Sequence, residues 1–200
     1  MDVVVVATDD ERIAMVARDA GADAVMTGPQ ETGTDRVAEA ARVLLPRPGI
    51  VVNLQGDEPL IDPLAVETLV AAMQHGDVEM ATLARPLDPG EWERPEVVKV
   101  VTDLNGDALY FSRASIPWSR GGGVPSQARA HVGMYGFTAG FLERFATLPR
   151  GRLEREEALE QLRVLEHGMK IRVVDTSYRG FGVDTPHDLE RARALMASGR

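Results

Sequence analysis

The sequence predicts an α/β fold on a mixed, mostly parallel sheet with an antiparallel hairpin excursion. Three features carry that prediction. The β-branched runs at 3–7 and 50–54 are too short for helices and read as strands buried on both faces, the signature of a parallel sheet. Strand and helix patterns alternate through residue 85. Asn105-Gly106 then separates two further strand patterns, and Asn-Gly in that setting is the strongest short hairpin signal.

The elements follow in order. After the first strand, Thr8-Asp9-Asp10-Glu11 reads as a capping box opening a helix that Gly21 ends. A short strand at 23–26 precedes a helix opened by Thr34-Asp35 and ended by Pro46. The strand at 50–54 leads to Asp62-Pro63, an N-cap followed by proline at the first helical position, and that helix reaches residue 74. Strands are expected at 79–85, 97–102 and 108–112. Gly121-Gly122-Gly123 with Pro125 marks a flexible loop. A strand at 131–138, a short helix at 140–146, one helix at 154–167 closed by Gly168 and a strand at 171–175 complete the pattern. Thr185-Pro186 caps a closing helix. No internal repeat interrupts it, and a single domain over 1–200 is expected.

Composition removes several function classes. The formal net charge is −9, and only Lys99 and Lys170 accompany the arginines. No basic run offers a nucleic-acid footprint, and an anionic membrane surface would repel the chain. No apolar run approaches the roughly 20 residues of a membrane span. The first residues lack a signal-peptide pattern, so the cytoplasm is the expected compartment. Without cysteine there is no disulfide framework and no thiolate metal site. The four histidines are isolated, and neither a phosphate-binding G-x-x-x-x-G-K motif nor a G-x-S-x-G elbow is present.

The chemistry-bearing residues cluster in a few segments. Asn53-Leu54-Gln55-Gly56-Asp57-Glu58-Pro59 lies just past a strand, where open α/β sheets bind ligands. Gly56 would let backbone approach a ligand, and Asp57 offers a hard oxygen for Mg²⁺; Gly-Asp is equally ordinary turn chemistry. In Gly182-Val183-Asp184-Thr185-Pro186, capping explains Thr185 and Asp188 but not Asp184. Asp57 and Asp184 could supply the one or two carboxylates that Mg²⁺ takes beside substrate phosphates. The turn around Thr34 and Arg36 enters a helix N-terminus, which suits an anion or a base, or is a plain cap. Arg113, after Tyr110-Phe111-Ser112, suits bidentate carboxylate or phosphate recognition, or is a surface arginine beside aromatics. His131 and Tyr135 share one face of a strand. Glu160 and Gln161 flank the stripe Leu159, Leu162, Leu165 and read as a solvated helix face.

Seven segments, T-G-T-D-R-V-A-E, N-L-Q-G-D-E-P, V-K-V-V-x-D, A-L-Y-F-S-R-A-S-I-P-W, H-V-G-M-Y-G-F, L-E-Q-L-R-V-L-E and G-V-D-T-P-H-D-L-E, occur in that order between residues 32 and 190, within a likeness that runs over about 3–196. Together they resemble the 3-deoxy-manno-octulosonate (Kdo) cytidylyltransferase family. The resemblance implies a Rossmann-like nucleotidyltransferase three-layer sandwich and a cytoplasmic, usually homodimeric, Mg²⁺-dependent enzyme. It implies transfer of CMP from CTP to the acidic sugar Kdo, with release of pyrophosphate, for lipopolysaccharide synthesis. By the same resemblance Asp57 and Asp184 match the metal-binding aspartates. Thr34, Arg36, Gln55 and Gly56 match the nucleotide side, and Arg113, His131, Tyr135, Glu160 and Gln161 the sugar side. The family's opening strand and basic loop, R-x-x-S-x-R-x-P-x-K, which cradles the triphosphate, has no counterpart in these residues; this sequence starts near the family's second strand. The motifs leave open a sister enzyme acting on an 8-amino variant of the sugar or a sialic acid, and a non-catalytic fragment that binds a partner.

Overall fold

The computed structural model describes residues 3–74, 76–180, 182–183 and 185–198. Strands β1 (Val5–Thr8) and β2 (Asp23–Met26) form a parallel pair around helix α1 (Glu11–Asp19). Asp10 is the N-cap, accepting from the Arg12 amide, while Thr8 Oγ1 accepts from the Asp10 amide. Gly21, at φ +82°, turns the chain out of the helix, a conformation glycine adopts without steric cost. Helix α2 (Gly33–Val43) begins earlier than its sequence signal, because Thr32 is the residue that accepts from the Asp35 amide.

Strand β3 (Ile50–Asn53), helix α3 (Pro63–Met73) and strand β4 (Met80–Pro86) follow, with Asp62 capping α3 as its Asp-Pro pair predicts. A 3-10 turn at Pro89–Glu91 leads to β5 (Lys99–Thr102) and β6 (Ala108–Ser112), which pair antiparallel across the Asn105-Gly106 turn. The remainder is β7 (Arg129–Thr138), α4 (Ala139–Phe145), α5 (Arg152–Glu157), α6 (Leu162–Glu166), β8 (Arg172–Asp175) and α7 (Pro186–Ala197).

The main sheet runs β6-β5-β7-β4-β8, with β3 also on β7. Strand β7 is the spine. One edge pairs with β4; the other pairs with β5 near its start and β3 near its end. The expected parallel character survives in strand direction, since β3, β4, β5 and β8 run the same way. It does not survive in pairing: β7 lies antiparallel among them, so among the described residues β4–β8 is the one parallel ladder of this sheet.

Full burial of the two β-branched runs is also corrected. Val5, Val6 and Ala7 in β1 and Ile50, Val51 and Val52 in β3 are half-buried, and Val3 and Val4 are exposed. Among the described residues β1 pairs only with β2 and β3 only with β7, so each leaves one edge unpaired.

Cores form on both faces of the main sheet, giving the three-layer arrangement. One joins Met80, Ala84, Tyr135 and Phe137 to Ala38 of α2, Phe141 and Phe145 of α4, and Leu162 of α6. The other joins Ala81, Leu83, Val132 and Met134 to Ala65, Val66, Leu69 and Met73 of α3. The helix expected over 154–167 is broken. Ala158 adopts a left-handed conformation, φ 51° and ψ 50°, between α5 and α6. Local propensity favours a continuous helix there, and tertiary contacts described below override it. Gln161 is consequently 2% exposed and Glu160 half-buried, not on a solvated helix face.

Candidate active site

The C-terminal ends of β1, β2 and β3 meet the start of α2, where α/β sheets place ligands. The Thr27 amide bonds the Thr8 carbonyl at 2.9 Å. Arg36 reaches back from α2 to Thr27 Oγ1 at 2.7 Å and to Asp9 Oδ1 at 3.1 Å. That guanidinium is the main reason the Asp9 carboxyl sits below its usual range. Arg36 therefore ties α2 to the loops after β1 and β2.

Thr34 points inward and is 1% exposed. Its hydroxyl donates to Glu160 Oε1 at 2.5 Å and accepts from Asn53 Nδ2 at 3.3 Å. This relay joins the end of β3, the start of α2 and the turn between α5 and α6, although Thr34 and Glu160 are 126 residues apart. Burial raises the Glu160 carboxyl above the ordinary value, outweighing the Thr34 hydroxyl that lowers it. Glu160 Oε2 and Gln161 Nε2 are both buried without a hydrogen-bond partner in the structure. An acceptor and a donor, adjacent in sequence, are left unsatisfied, which costs about 1–3 kcal/mol for a neutral group and more for a charged one.

Tyr135 pairs with Asn53 across β3 and β7, and its ring lies 5.5 Å from that of His131. Both residues thus share a face, as the alternation of a strand requires. Burial first and the Glu160 charge second push the Tyr135 phenol upward. His131 Nε2 is 2.9 Å from Thr82 Oγ1, which also lies 2.8 Å from the Met134 carbonyl and 3.2 Å from that of Val132. The hydroxyl proton goes to a carbonyl, so the fitting tautomer is Nε2–H donating to Thr82. Burial holds the imidazole down to about 3. His131 is neutral at working pH and acts as a hydrogen-bonding group, not as a cation.

Arg113 closes another side. Its Nε donates to the Glu157 carbonyl at 2.8 Å, and its terminal nitrogens to the carbonyls of Pro95 at 3.0 Å and Ala158 at 3.5 Å. The Arg113 amide and the Ser112 hydroxyl donate to the Glu157 carboxylate at 2.9 and 2.6 Å. These bonds hold the left-handed turn at Ala158 and so direct Glu160 and Gln161 inward.

In the loop after β3, the Gln55 amide oxygen lies 4.0 Å from where a Cβ on Gly33 would sit, so Gln55 flanks the start of α2. Gly56 is exposed, has no positive φ and faces open space, so nothing inside the protein requires glycine there. The Asp57 carboxylate is exposed, and none of the described side chains bonds it. The Val183 amide donates to the Asp57 carbonyl at 2.9 Å, joining this loop to the segment before α7. Asp184 lies outside the described residues. Glu58 accepts from the Tyr178 hydroxyl at 2.8 Å, and burial raises its carboxyl.

The structure thus brings together Thr34, Glu160, Gln161, Tyr135 and His131, with Gln55 at the α2 start and Arg113 behind the Ala158 turn. Arg36 is engaged with Asp9 and Thr27. Sequence reasoning did not single out Asn53, Thr82 or Glu157. Asn53 had a signal, a polar amide ending an apolar strand. Thr82 and Glu157 had none, because their partners are distant in sequence.

A mixed-sheet three-layer sandwich that gathers polar side chains at these strand ends is the architecture of a nucleotidyltransferase, and the comparisons agree. The cytidylyltransferase family model matches residues 1–171. A 3-deoxy-manno-octulosonate cytidylyltransferase from Anaeromyxobacter sp. (strain Fw109-5) is 71% identical over 199 residues, spanning 100% of this chain and 81% of its own. Another from Solibacter usitatus is 50% identical over 96% of this chain and 77% of its own length. A solved CMP:2-keto-3-deoxy-manno-octonic acid synthetase complexed with CTP superposes with a TM-score of 0.91 at 39% identity, covering 100% of this chain and 83% of that one. The chain belongs to the 3-deoxy-manno-octulosonate cytidylyltransferase family. Among the described residues, no helix is long and apolar enough to cross a membrane.

Proposed function

We propose that this chain transfers CMP from CTP to Kdo with release of pyrophosphate. The observation that carries the reading is the buried pair Glu160 Oε2 and Gln161 Nε2, an acceptor and a donor without partners. A polyhydroxylated sugar carries both complements; reaching atoms that the free protein keeps closed to solvent requires the 158–161 turn to open, and each bond then made relieves a desolvation cost. His131 and Tyr135 line the same side, and Arg113 adds positive charge near an acidic substrate. Gln55 and the open backbone at Gly56 serve the nucleotide side, with Arg36 bracing the loops around it. Thr34 acts on the ligand through Glu160.

The sugar's anomeric hydroxyl attacks the α-phosphorus of CTP as the bond to pyrophosphate breaks in line. Both reactants are anions and the chain is itself acidic, so their approach requires charge neutralisation. The exposed Asp57 carboxylate, bonded by none of the described side chains, is a hard oxygen donor at the strand ends and fits Mg²⁺, with Asp184 as the second carboxylate. Bound there, Mg²⁺ would neutralise phosphate charge and polarise the α-phosphate. The chain's own contribution is positioning: it aligns hydroxyl and phosphorus and excludes the water that would compete.

The test is pyrophosphate release from CTP, Kdo and Mg²⁺, with sialic acid as the alternative acceptor. Asp57→Asn is expected to lower kcat at least ~100-fold and Glu160→Gln to raise KM for the sugar more than for CTP. Full activity in Asp57→Asn removes the metal assignment; preference for sialic acid removes the sugar assignment.

A further inference from the structure

Lys99 is one of two lysines in the chain and is 0% exposed. A lysine is almost never fully buried without a partner. No carboxylate lies within ion-pair distance of it among the described residues. Its ammonium instead donates to three backbone carbonyls, those of Arg94 at 2.9 Å, Val97 at 2.7 Å and Arg113 at 2.6 Å. Three protons meet three acceptors, so the group is saturated. It belongs to strand β5 but joins two other pieces of chain, the 94–97 turn and the residue after β6.

We propose that Lys99 is a positioning residue for the sugar side of the site, acting through Arg113 on the turn that presents Glu160 and Gln161. The path is continuous. Lys99 fixes the Arg113 carbonyl and the turn behind it. The Arg113 side chain spans from the Pro95 carbonyl to those of Glu157 and Ala158. The Arg113 amide and Ser112 hydroxyl hold the Glu157 carboxylate from the other side. Those bonds keep alanine, the best helix former, in a left-handed conformation that a residue with a Cβ adopts only at a steric cost. Released from the clamp, residues 157–161 would relax towards helix and rotate Glu160 away from Thr34. Of the nucleotide-side residues Thr34 meets the end of the clamp through Glu160, whereas Arg36, Gln55 and Gly56 make no bond to it among the described residues, so the loss falls mainly on the sugar side.

The proposal rests on the sugar-transfer reading, and its test separates the two. In Lys99→Met, KM for Kdo is expected to rise about tenfold while KM for CTP stays within twofold. In an Arg113→Met background the same substitution should add less than it does alone, because the side-chain half of the path is already cut and only the Arg113 amide still links it to Glu157. Hydrogen exchange supplies a readout independent of turnover. The amides of Leu159, Arg163 and Val164, bonded to the carbonyls of Glu154, Glu160 and Gln161, should exchange faster in Lys99→Met, with α3 unchanged. An unchanged sugar KM, an equal rise for both substrates, additive effects or unaltered exchange at 159–164 overturns the proposal. If the wild-type chain neither binds nor turns over Kdo, the functional reading fails, and the exchange data alone decide the clamp. Should Lys99→Met not fold, Lys99→Gln, which keeps two of the three donated protons, enters the same cycle with smaller shifts in the same directions.

Discussion

Lowering the pH from about 8 to about 5 should cost this fold about 2 kcal/mol through His131 alone. The imidazole lies between Phe111, 4.9 Å away edge-on, and Tyr135, with Nε2 on the Thr82 hydroxyl. Burial depresses its pKa from 6.5 to about 3. At pH 5 the unfolded chain is protonated at this position and the folded chain is not. The difference is RT ln(1 + 10^1.5), about 2 kcal/mol. The sign follows from the depression: this stability is complete above the unfolded value and is lost as pH falls from about 6.5 towards 3. Against a total of ~5–15 kcal/mol the loss is large. The assay is urea unfolding at both pH values, followed by tryptophan fluorescence, for wild type and His131→Gln. Glutamine keeps a donor for Thr82 and carries no titrating charge. Wild type should lose about 2 kcal/mol more than the variant across the interval. Equal losses would refute the claim that a buried neutral imidazole sits here.

Two further outcomes concern packing and charge. Glu154→Ala should destabilise by about 3–5 kcal/mol in urea unfolding, because it strands Arg163, which is 2% exposed and bonded to Glu154 at 2.9 and 2.7 Å. Asp35, at 3.6 Å from that guanidinium, is too distant to replace the lost bonds. Gly136→Val should cost about 1–3 kcal/mol, read as a lowered Tm, because a Cβ there would meet Met73 Cγ at 2.9 Å and Leu69 Cγ at 3.3 Å.

Local signals in the sequence located most elements and their caps. Asp62-Pro63, Gly21, Asn105-Gly106 and Thr185 act through neighbours a few residues away, so their effects can be read from adjacent letters. The antiparallel insertion of β7 was not legible, because pairing partners are chosen by the whole sheet and alternating patterns do not encode them. Ala158 shows the same limit. Its propensity points to helix, and the bonds that reverse it come from Arg113 and Ser112, more than 40 residues away in sequence. The site divides in the same way. Residue identities around Glu160 were visible through resemblance, but the Thr34 hydroxyl's direction, the neutral state of His131 and the saturation of Lys99 depend on contacts made only after folding.

The register of β7 against β4 has a consequence for how this chain can change length. Thr82 faces Tyr135 and Leu83 faces Val132, so β7 carries two residues more than β4 across that step. Two is an even number, and alternation returns to phase after it. A deletion of one residue at 133–134 would restore part of the ladder yet exchange the two faces for everything before it. His131 would turn towards the α3 core, and Val132 would replace it beside Thr82. Length variation in this strand is therefore constrained by parity: paired losses or gains leave both cores and the contact beside Thr82 composed of the same side chains, whereas single ones trade them.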